Sequence, residues 1–445
     1  MKTALKITIS FLLVCISQQL LSQEELIKQL QDSIKRIDSE LRIIRSDYYD
    51  LSGKIDSISL VQATGADTED DLQKLLEEAE QLAAAEKEED LGASKKFHSG
   101  MRQQQALNPN ISVGGDFFVT KSSANESYLN EPGEASYGNN GLFLREMEVA
   151  FVAPLDPFTR GKSFISVTKA DISIEEAYME WLNLPLNMNL KAGIFYCEFG
   201  PLNRYHDHAL PQFDRPRALV NLFSNKGLGG TGLAASFMLP KILFAQASSL
   251  DLSFMKGSRS DDRYSFNERE LLYVGQFKNF YDITTNSYFE VRISGALGRN
   301  PEGDDNHSAV GSLGLEYKWV PAGREKYRTF DWKTELLYCS YETPTGRIKS
   351  KGFYTSVQNK VSARFWIGGR IGYSELPFDR NQNEWDFTLN IDFWQSEFVF
   401  TRLQYQYNSR NIINPDGPIF GNMPNDHTLL LQVCWAMGPH KHESY

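Results

Sequence analysis

A short run of candidate metal-binding side chains lies within one predicted loop, residues 198–228. His206 and His208 flank Asp207, and Asp214 follows in the same loop. Imidazole nitrogens and carboxylate oxygens are common ligands of zinc. The loop is therefore a candidate zinc site if its fold brings the two histidines together with Asp207 or Asp214. The alternative is that both histidines are ordinary hydrogen-bonding residues of the loop.

Charged residues also recur at alternate positions of the predicted strands. If these strands close into a membrane barrel, a charge on the lipid face is costly, so such residues should point into the lumen. Seven charged residues of the strands and the loop are predicted to line the pore: Glu146, Glu148, Glu176, Glu180, Arg204, Arg215 and Arg217. The carboxylates would favour cations, and the arginines would oppose that preference. No nucleophile or catalytic signature accompanies the paired carboxylates, so no enzymatic activity is expected.

The elements that must position these residues are strands. Sixteen stretches of roughly ten residues alternate apolar with polar or small residues from about Asn110 onward, each long enough to cross a bilayer as a tilted strand. Short and long connections alternate between them, as in an outer-membrane barrel. We therefore predict an all-β transmembrane barrel of about sixteen antiparallel strands over residues 105–445, wide enough for an aqueous channel. A large soluble β-sandwich, or two all-β domains, is the alternative.

The first residues have the layout of a secretory signal. Lys2 and Lys6 precede an apolar stretch at residues 7–16, and a cleavage point follows Ser22. Residues 1–22 are therefore predicted to be a signal peptide. No later stretch reaches about 18 uninterrupted apolar residues, so no helical anchor is expected. Together with the barrel pattern, this predicts a location in the outer membrane of a Gram-negative bacterium, in contact with its lipid.

Residues 23–62 carry a heptad pattern. Ten apolar residues follow one another at spacings of three and four: Ile27, Leu30, Ile34, Ile37, Leu41, Ile44, Tyr48, Leu51, Ile55 and Ile58. Such a seam predicts an α-helical coiled coil in the periplasm, and isoleucine at both seam positions favours more than two strands. We expect a homotrimer. An amphipathic helix that folds against its own neighbour is the alternative.

Residues 63–94 form an acidic helical linker. Between Asp67 and Asp90 there are eleven acids against Lys74 and Lys87, whereas the whole chain has a formal net charge of −11. Nearly all of the excess charge is therefore concentrated in one periplasmic helix. This helix is either a solvated face or a docking site for a basic periplasmic protein partner. No basic stripe is present, so no nucleic acid partner is expected.

Two long runs resemble a known family of membrane proteins. The runs are "FLREMEVAFVAPLDPF" (residues 143–158) and "IEEAYMEWLNLPLNMNLKAGIFYCEFGPLNRYHDH" (residues 174–208). They resemble the porin-like outer-membrane proteins related to phosphate-selective porins, in a branch often labelled zinc-regulated outer-membrane protein. The resemblance implies a sixteen-stranded, often trimeric barrel whose long loop after "KAGIFYCEFG" bends into the lumen. No basic ladder is evident in these strands, so phosphate selectivity is not expected.

These observations leave three functional hypotheses. The first is a porin-like channel for passive passage of small hydrophilic solutes or ions, with no cofactor. The second is a structural or accessory barrel that anchors the periplasmic helices to an envelope-assembly partner, which would be favoured if the loop fills the lumen. The third is a barrel that takes up or binds zinc through the loop histidines.

Overall fold

The structure is a computed structural model, and it describes residues 109–123, 140–169, 171–256, 265–267, 270–303, 305–324, 327–414 and 421–438. The predicted signal peptide (1–22), coiled coil (23–62) and acidic helix (63–94) lie outside the described residues and stay predictions. Within the described ranges, no helix is both long enough and apolar enough to cross a membrane.

The described residues form one closed antiparallel barrel of sixteen strands, which confirms the predicted barrel and its strand number. Its strands are β1 (Asn110–Ser122), β2 (Asn140–Pro154), β3 (Thr159–Val167), β4 (Ile172–Leu184), β5 (Met188–Tyr196), β6 (Gly229–Leu239), β7 (Ala247–Lys256), β8 (Leu271–Thr284), β9 (Ser287–Arg299), β10 (His307–Trp319), β11 (Thr329–Thr343), β12 (Gly346–Lys360), β13 (Phe365–Glu375), β14 (Asn383–Trp394), β15 (Val399–Asn411) and β18 (Asp426–Met437). Two short strands, β16 (Ile413–Asn414) and β17 (Gly421–Asn422), pair with each other outside the barrel sheet. Each barrel strand pairs with its neighbours in sequence, and β18 closes the barrel on β1.

The wall is apolar outside and polar inside. On β14 the exposed side chains are Trp385, Phe387, Leu389 and Ile391. The residues between them are Asp386, Thr388 and Asn390, and all three are buried. Because successive side chains of a strand point to opposite faces, this alternation turns the apolar row outward and the polar row inward. The arrangement suits a barrel surrounded by hydrocarbon.

The two ends of the barrel differ less in loop length than the sequence pattern indicates. We call the end at which β1 begins the turn end, and the opposite end the loop end. At the loop end, β11 and β12 are joined by Pro344 and Thr345 alone. At the turn end, β10 and β11 are separated by residues 320–328. The strict alternation of short and long connections is therefore wrong, since a hairpin of two residues is sufficient at either end.

The longest described connection, residues 197–228, folds into the barrel, and we call it the inner loop. It contains one helix, α1 (Arg217–Phe223), whose seven residues are all buried and which packs against β12, β13 and β14. Phe199 and Phe223 pack edge to face with ring centroids 5.1 Å apart, inside an apolar core shared by the inner loop and the wall. The inner loop thus occupies the middle of the lumen.

Candidate functional site

A β-bulge in β4 turns two consecutive glutamates toward the interior. Phe164 of β3 pairs with Glu176, and Ile165 pairs with Ile174, so Glu175 is the extra residue. Regular alternation would have placed Glu175 on the outer face, next to lipid. The bulge places its side chain inside, 14% exposed. Glu175 was not predicted to face the lumen, because the pattern of apolar residues does not show where a strand gains a residue.

A second bulge, in β2, also turns Arg145 toward the interior. Asp116 of β1 pairs with Glu146 and Phe117 pairs with Leu144, so Arg145 is the extra residue. Its guanidinium donates a hydrogen bond of 2.8 Å to the backbone carbonyl of Phe213 and lies 4.3 Å from the centre of the Phe213 ring. It also makes ion pairs with Asp116 of the wall, at 3.4 Å, and with Asp207 of the inner loop, at 3.1 Å. Arg145 therefore joins the inner loop to the wall, and sequence analysis did not predict it.

His206 lies among three glutamates of the wall. Its Nδ1 is 2.8 Å from Oε2 of Glu148 and 2.7 Å from Oε2 of Glu175, and its Nε2 is 3.0 Å from Oε2 of Glu176. The imidazole is 2% exposed, and its ring centroid is 4.7 Å from that of Phe164. Burial alone would lower the pKa of this histidine, but the three carboxylates raise it well above the usual value of 6.5.

His208 lies beside the same wall, with its ring centroid 5.9 Å from that of His206. Its Nδ1 is 3.5 Å from Oε1 of Glu146 and 3.8 Å from Oε2 of Glu148. Burial lowers its pKa, but Glu148 and Glu146 outweigh that effect and raise the pKa to about 9. We call these six residues the carboxylate–histidine cluster: Glu146, Glu148, Glu175, Glu176, His206 and His208. It joins the inner loop to β2 and β4.

The two aspartates of the predicted zinc site face arginines instead. Asp207 pairs with Arg145 and lies 3.6 Å from Nε of Arg215. Asp214 pairs with Arg370 of β13, Oδ1 to Nη2 at 3.0 Å. Asp207 begins a short 3₁₀ turn (Asp207–Ala209), in which consecutive side chains point in different directions. The structure therefore brings His206 and His208 together with wall glutamates, while the aspartates bind elsewhere.

Comparisons with known proteins identify the fold. No family model and no curated protein matches the chain. Among solved structures, an anion-selective porin from Comamonas acidovorans aligns over 74% of this chain and 99% of its own, at 8% identity and a TM-score of 0.51. OprB of Pseudomonas putida (9% identity, 76% and 96% of the two chains, TM-score 0.49) and DcaP of Acinetobacter baumannii (13%, 74% and 97%, 0.48) are also similar. The barrel has a porin fold.

In this porin-fold barrel the predicted lumen arginines hold the inner loop. Arg204 pairs with Glu198, at the start of the loop. Arg215 donates hydrogen bonds to backbone carbonyls of the loop itself, including that of Leu202 at 3.1 Å. Arg217 binds Glu384 of β14, Nε to Oε2 at 2.9 Å. These guanidinium groups therefore fix the loop's fold and its position in the lumen.

The four predicted glutamates of the lumen divide into two groups. Glu146, Glu148 and Glu176 are buried against the inner loop, as part of the carboxylate–histidine cluster. Glu180 lies further along β4 and binds Arg160 of β3 at 2.5 Å. The first group therefore faces the loop histidines, whereas Glu180 pairs with a strand neighbour.

A cavity of about 1040 Å³ lies between the inner loop and the turn end of the barrel. Residues 205 and 208–211 of the loop line one side of it. Its wall carries five basic residues, Lys318, Lys333, Lys360, Arg364 and Arg402. Three acids, Asp331, Asp392 and Glu397, also line it, together with Trp366 and Trp394. The cavity is therefore aromatic and net basic, unlike the acidic cluster on the other side of His208.

Proposed function

We propose that the protein is an outer-membrane channel of the porin type, which passes small hydrophilic solutes or ions and is narrowed by its inner loop. The observation that supports this proposal most directly is the wall of the closed barrel, which is apolar outside and charged inside. A soluble protein would bury the apolar row and expose the charged one, whereas lipid and water on opposite sides of a wall favour this arrangement. On this proposal the wall contacts outer-membrane lipid, and no chemical reaction is catalysed.

The inner loop acts as the constriction of the proposed channel. It is attached to β2 and β4 through the carboxylate–histidine cluster, and to β13 through Asp214 and Arg370. These two attachments are ionic, and ionic contacts can be exchanged for water when a loop shifts. The cavity beneath the loop provides space at the turn end for a hydrated solute. We therefore propose that the lumen opens when the inner loop leaves one of its attachments.

Single-channel recording in a planar bilayer tests this function. The purified chain should give discrete conductance steps, and Arg370→Gln, which removes the anchor of Asp214, should increase the conductance or its open time at least twofold. Glu342→Gln is a matched control, because Glu342 pairs with Arg347 on the exposed hairpin at the loop end. If both the wild type and Arg370→Gln insert but conduct no ions, the channel proposal is wrong.

The accessory barrel is a second candidate, and the apolar core of the inner loop favours it. Phe199, Leu202, Leu222 and Phe223 are buried with wall residues, so the loop packs like a protein core rather than a loose constriction. Such a barrel would anchor the periplasmic helices, as a homotrimer formed by residues 23–62, and would present the acidic helix to a periplasmic protein partner. Absence of conductance together with retention of a periplasmic partner on the acidic helix would favour this candidate.

A further inference from the structure

We propose that Glu148, Glu175 and His206 form a binding site for a divalent transition-metal ion, at the junction of the inner loop and the barrel wall. Each residue offers one ligand atom, and the three atoms lie within 4.8 Å of one another. They come from β2, from the bulge in β4 and from the inner loop, so three separate parts of the chain converge on one point. The site keeps His206 of the predicted zinc site but replaces both aspartates by wall glutamates.

The hydrogen bonding of His206 leaves one ligand atom unsatisfied. Two carboxylate oxygens, from Glu148 and Glu175, approach the same nitrogen, Nδ1, within 2.8 Å. A single N–H group on Nδ1 can donate to only one of these two oxygens. Oε2 of Glu175 is buried yet accepts no hydrogen bond. A buried carboxylate oxygen that accepts no hydrogen bond is costly. A cation that replaces the proton on Nδ1 would bind both oxygens at once.

The charges of the cluster also favour a cation. Four glutamates face two imidazoles, so negative charge is in excess even when both imidazoles carry a proton. Arg204 lies near Glu176 but is bound to Glu198. A second buried oxygen, Oε1 of Glu146, also accepts no hydrogen bond. Excess buried negative charge is strongly unfavourable, and a divalent ion would balance it.

The donor set indicates the class of metal. One imidazole nitrogen and two carboxylate oxygens are the ligands of zinc and of neighbouring first-row divalent ions, whereas calcium and magnesium prefer oxygen alone. Three protein ligands leave a position for water or for a further group, as in open zinc sites. A metal ion here would tie the inner loop to two strands of the wall and hold it in the lumen.

Zinc binding to the purified protein tests the site without reference to conductance. The mature, untagged chain is freed of metal with a chelator, and Zn²⁺ is titrated by isothermal calorimetry. The sequence also has two histidines near its C-terminus, His440 and His442. Both are replaced by alanine in all samples, so that they do not contribute to Zn²⁺ binding. We expect one Zn²⁺ per chain, and at least a tenfold loss of affinity in Glu175→Gln and in His206→Ala. Zn²⁺ should also slow amide exchange in residues 203–216 of the wild type.

Two controls separate a metal site from general effects. His307→Ala removes an exposed histidine at the start of β10, whose Nδ1 lies 3.8 Å from Oε2 of Glu342, and this variant should bind Zn²⁺ as the wild type does. Glu175→Gln keeps the size of the side chain, so it reports on the site even if His206→Ala fails to fold. The proposal is overturned if the wild type takes up no Zn²⁺, or if Glu175→Gln binds it as tightly as the wild type.

Discussion

Asp214 of the inner loop and Arg370 of β13 are bound to each other inside the barrel, with Oδ1 and Nη2 3.0 Å apart. Arg370 also binds Asp386 of the neighbouring strand at 2.7 Å and donates to the backbone carbonyl of Asp214 at 2.6 Å. The arginine side chain is fully buried, so its charge is balanced only by these partners and its protein surroundings. This arginine fixes the side of the inner loop opposite the carboxylate–histidine cluster.

Replacement of Arg370 by glutamine should destabilise the barrel. It would leave Asp214 and Asp386 buried without their cation, which typically costs about 3 to 5 kcal/mol. Urea unfolding in detergent, followed by tryptophan fluorescence, would measure the free energy of unfolding. Arg347→Gln is the control, since this exposed arginine pairs with Glu342 and a surface ion pair contributes little. Equal effects of both substitutions would contradict the assigned role of Arg370.

Acid should loosen the start of the inner loop. Burial raises the pKa of Glu198, but Arg204, together with Lys191 and Lys278 of the wall, holds it below its usual value of 4.5. A carboxylate with a depressed pKa stabilises the fold above that usual value, and the contribution is lost as pH falls through the folded pKa. We therefore expect faster amide exchange at residues 198–204 as the pH falls below about 4.5.

The matched variant Glu198→Gln lacks the titrating group. Its loop should exchange faster than that of the wild type at neutral pH, and should respond less to acid between pH 6 and the unfolding transition. An identical acid response in the variant and the wild type would assign the effect to another carboxylate.

Gly200 should not tolerate alanine. Its backbone has φ +57°, and an added Cβ would overlap the carboxylate of Glu335. That carboxylate cannot easily move, because Tyr354 donates to it at 2.8 Å and Ser312 also binds it. Left-handed backbone costs a residue with a side chain roughly 1 to 2 kcal/mol before any clash. Gly200→Ala should lower the unfolding midpoint in urea.

The control for this substitution is Gly311→Ala. No atom lies within 4 Å of a Cβ built at Gly311, and its backbone is not left-handed. The control should therefore leave the unfolding midpoint within error of the wild type. A similar loss of stability in both variants would show that any glycine-to-alanine change destabilises the protein, and that the left-handed backbone of Gly200 at the start of the inner loop has no special role.

The cavity at the turn end should make a conducting channel prefer anions. The sequence predicted a modest cation preference from Glu146, Glu148, Glu176 and Glu180. The first three carboxylates face the loop histidines, and Glu180 pairs with Arg160. The lining of the cavity is net basic, and a net positive lining attracts anions. In a salt gradient, Lys360→Gln with Arg364→Gln should shift the reversal potential toward cations.

Glu397→Gln removes an acid from the same cavity, so it should shift the reversal potential in the opposite direction. Cation selectivity of the wild type that neither substitution alters would place the selective region elsewhere in the lumen.

The amino-acid sequence determined the wall of the barrel. The alternation along stretches such as residues 384–392 depends only on which side chains prefer lipid. The number of strands can therefore be read from the residue types at alternate positions. The inward orientation of Glu146, Glu148 and Glu176 follows from the same pattern. The resemblance also implied a loop that enters the lumen, and residues 197–228 do so.

Only the tertiary structure decided the partners inside the lumen. Glu175 and Arg145 face inward because of single-residue bulges, and a bulge depends on the register of neighbouring strands rather than on the pattern of one strand. Likewise, Asp207 and Asp214 lie near the histidines in sequence, yet the fold of the inner loop turns them toward Arg145 and Arg370. Contacts between a loop and a distant strand are fixed by closure of the barrel, which local sequence does not encode.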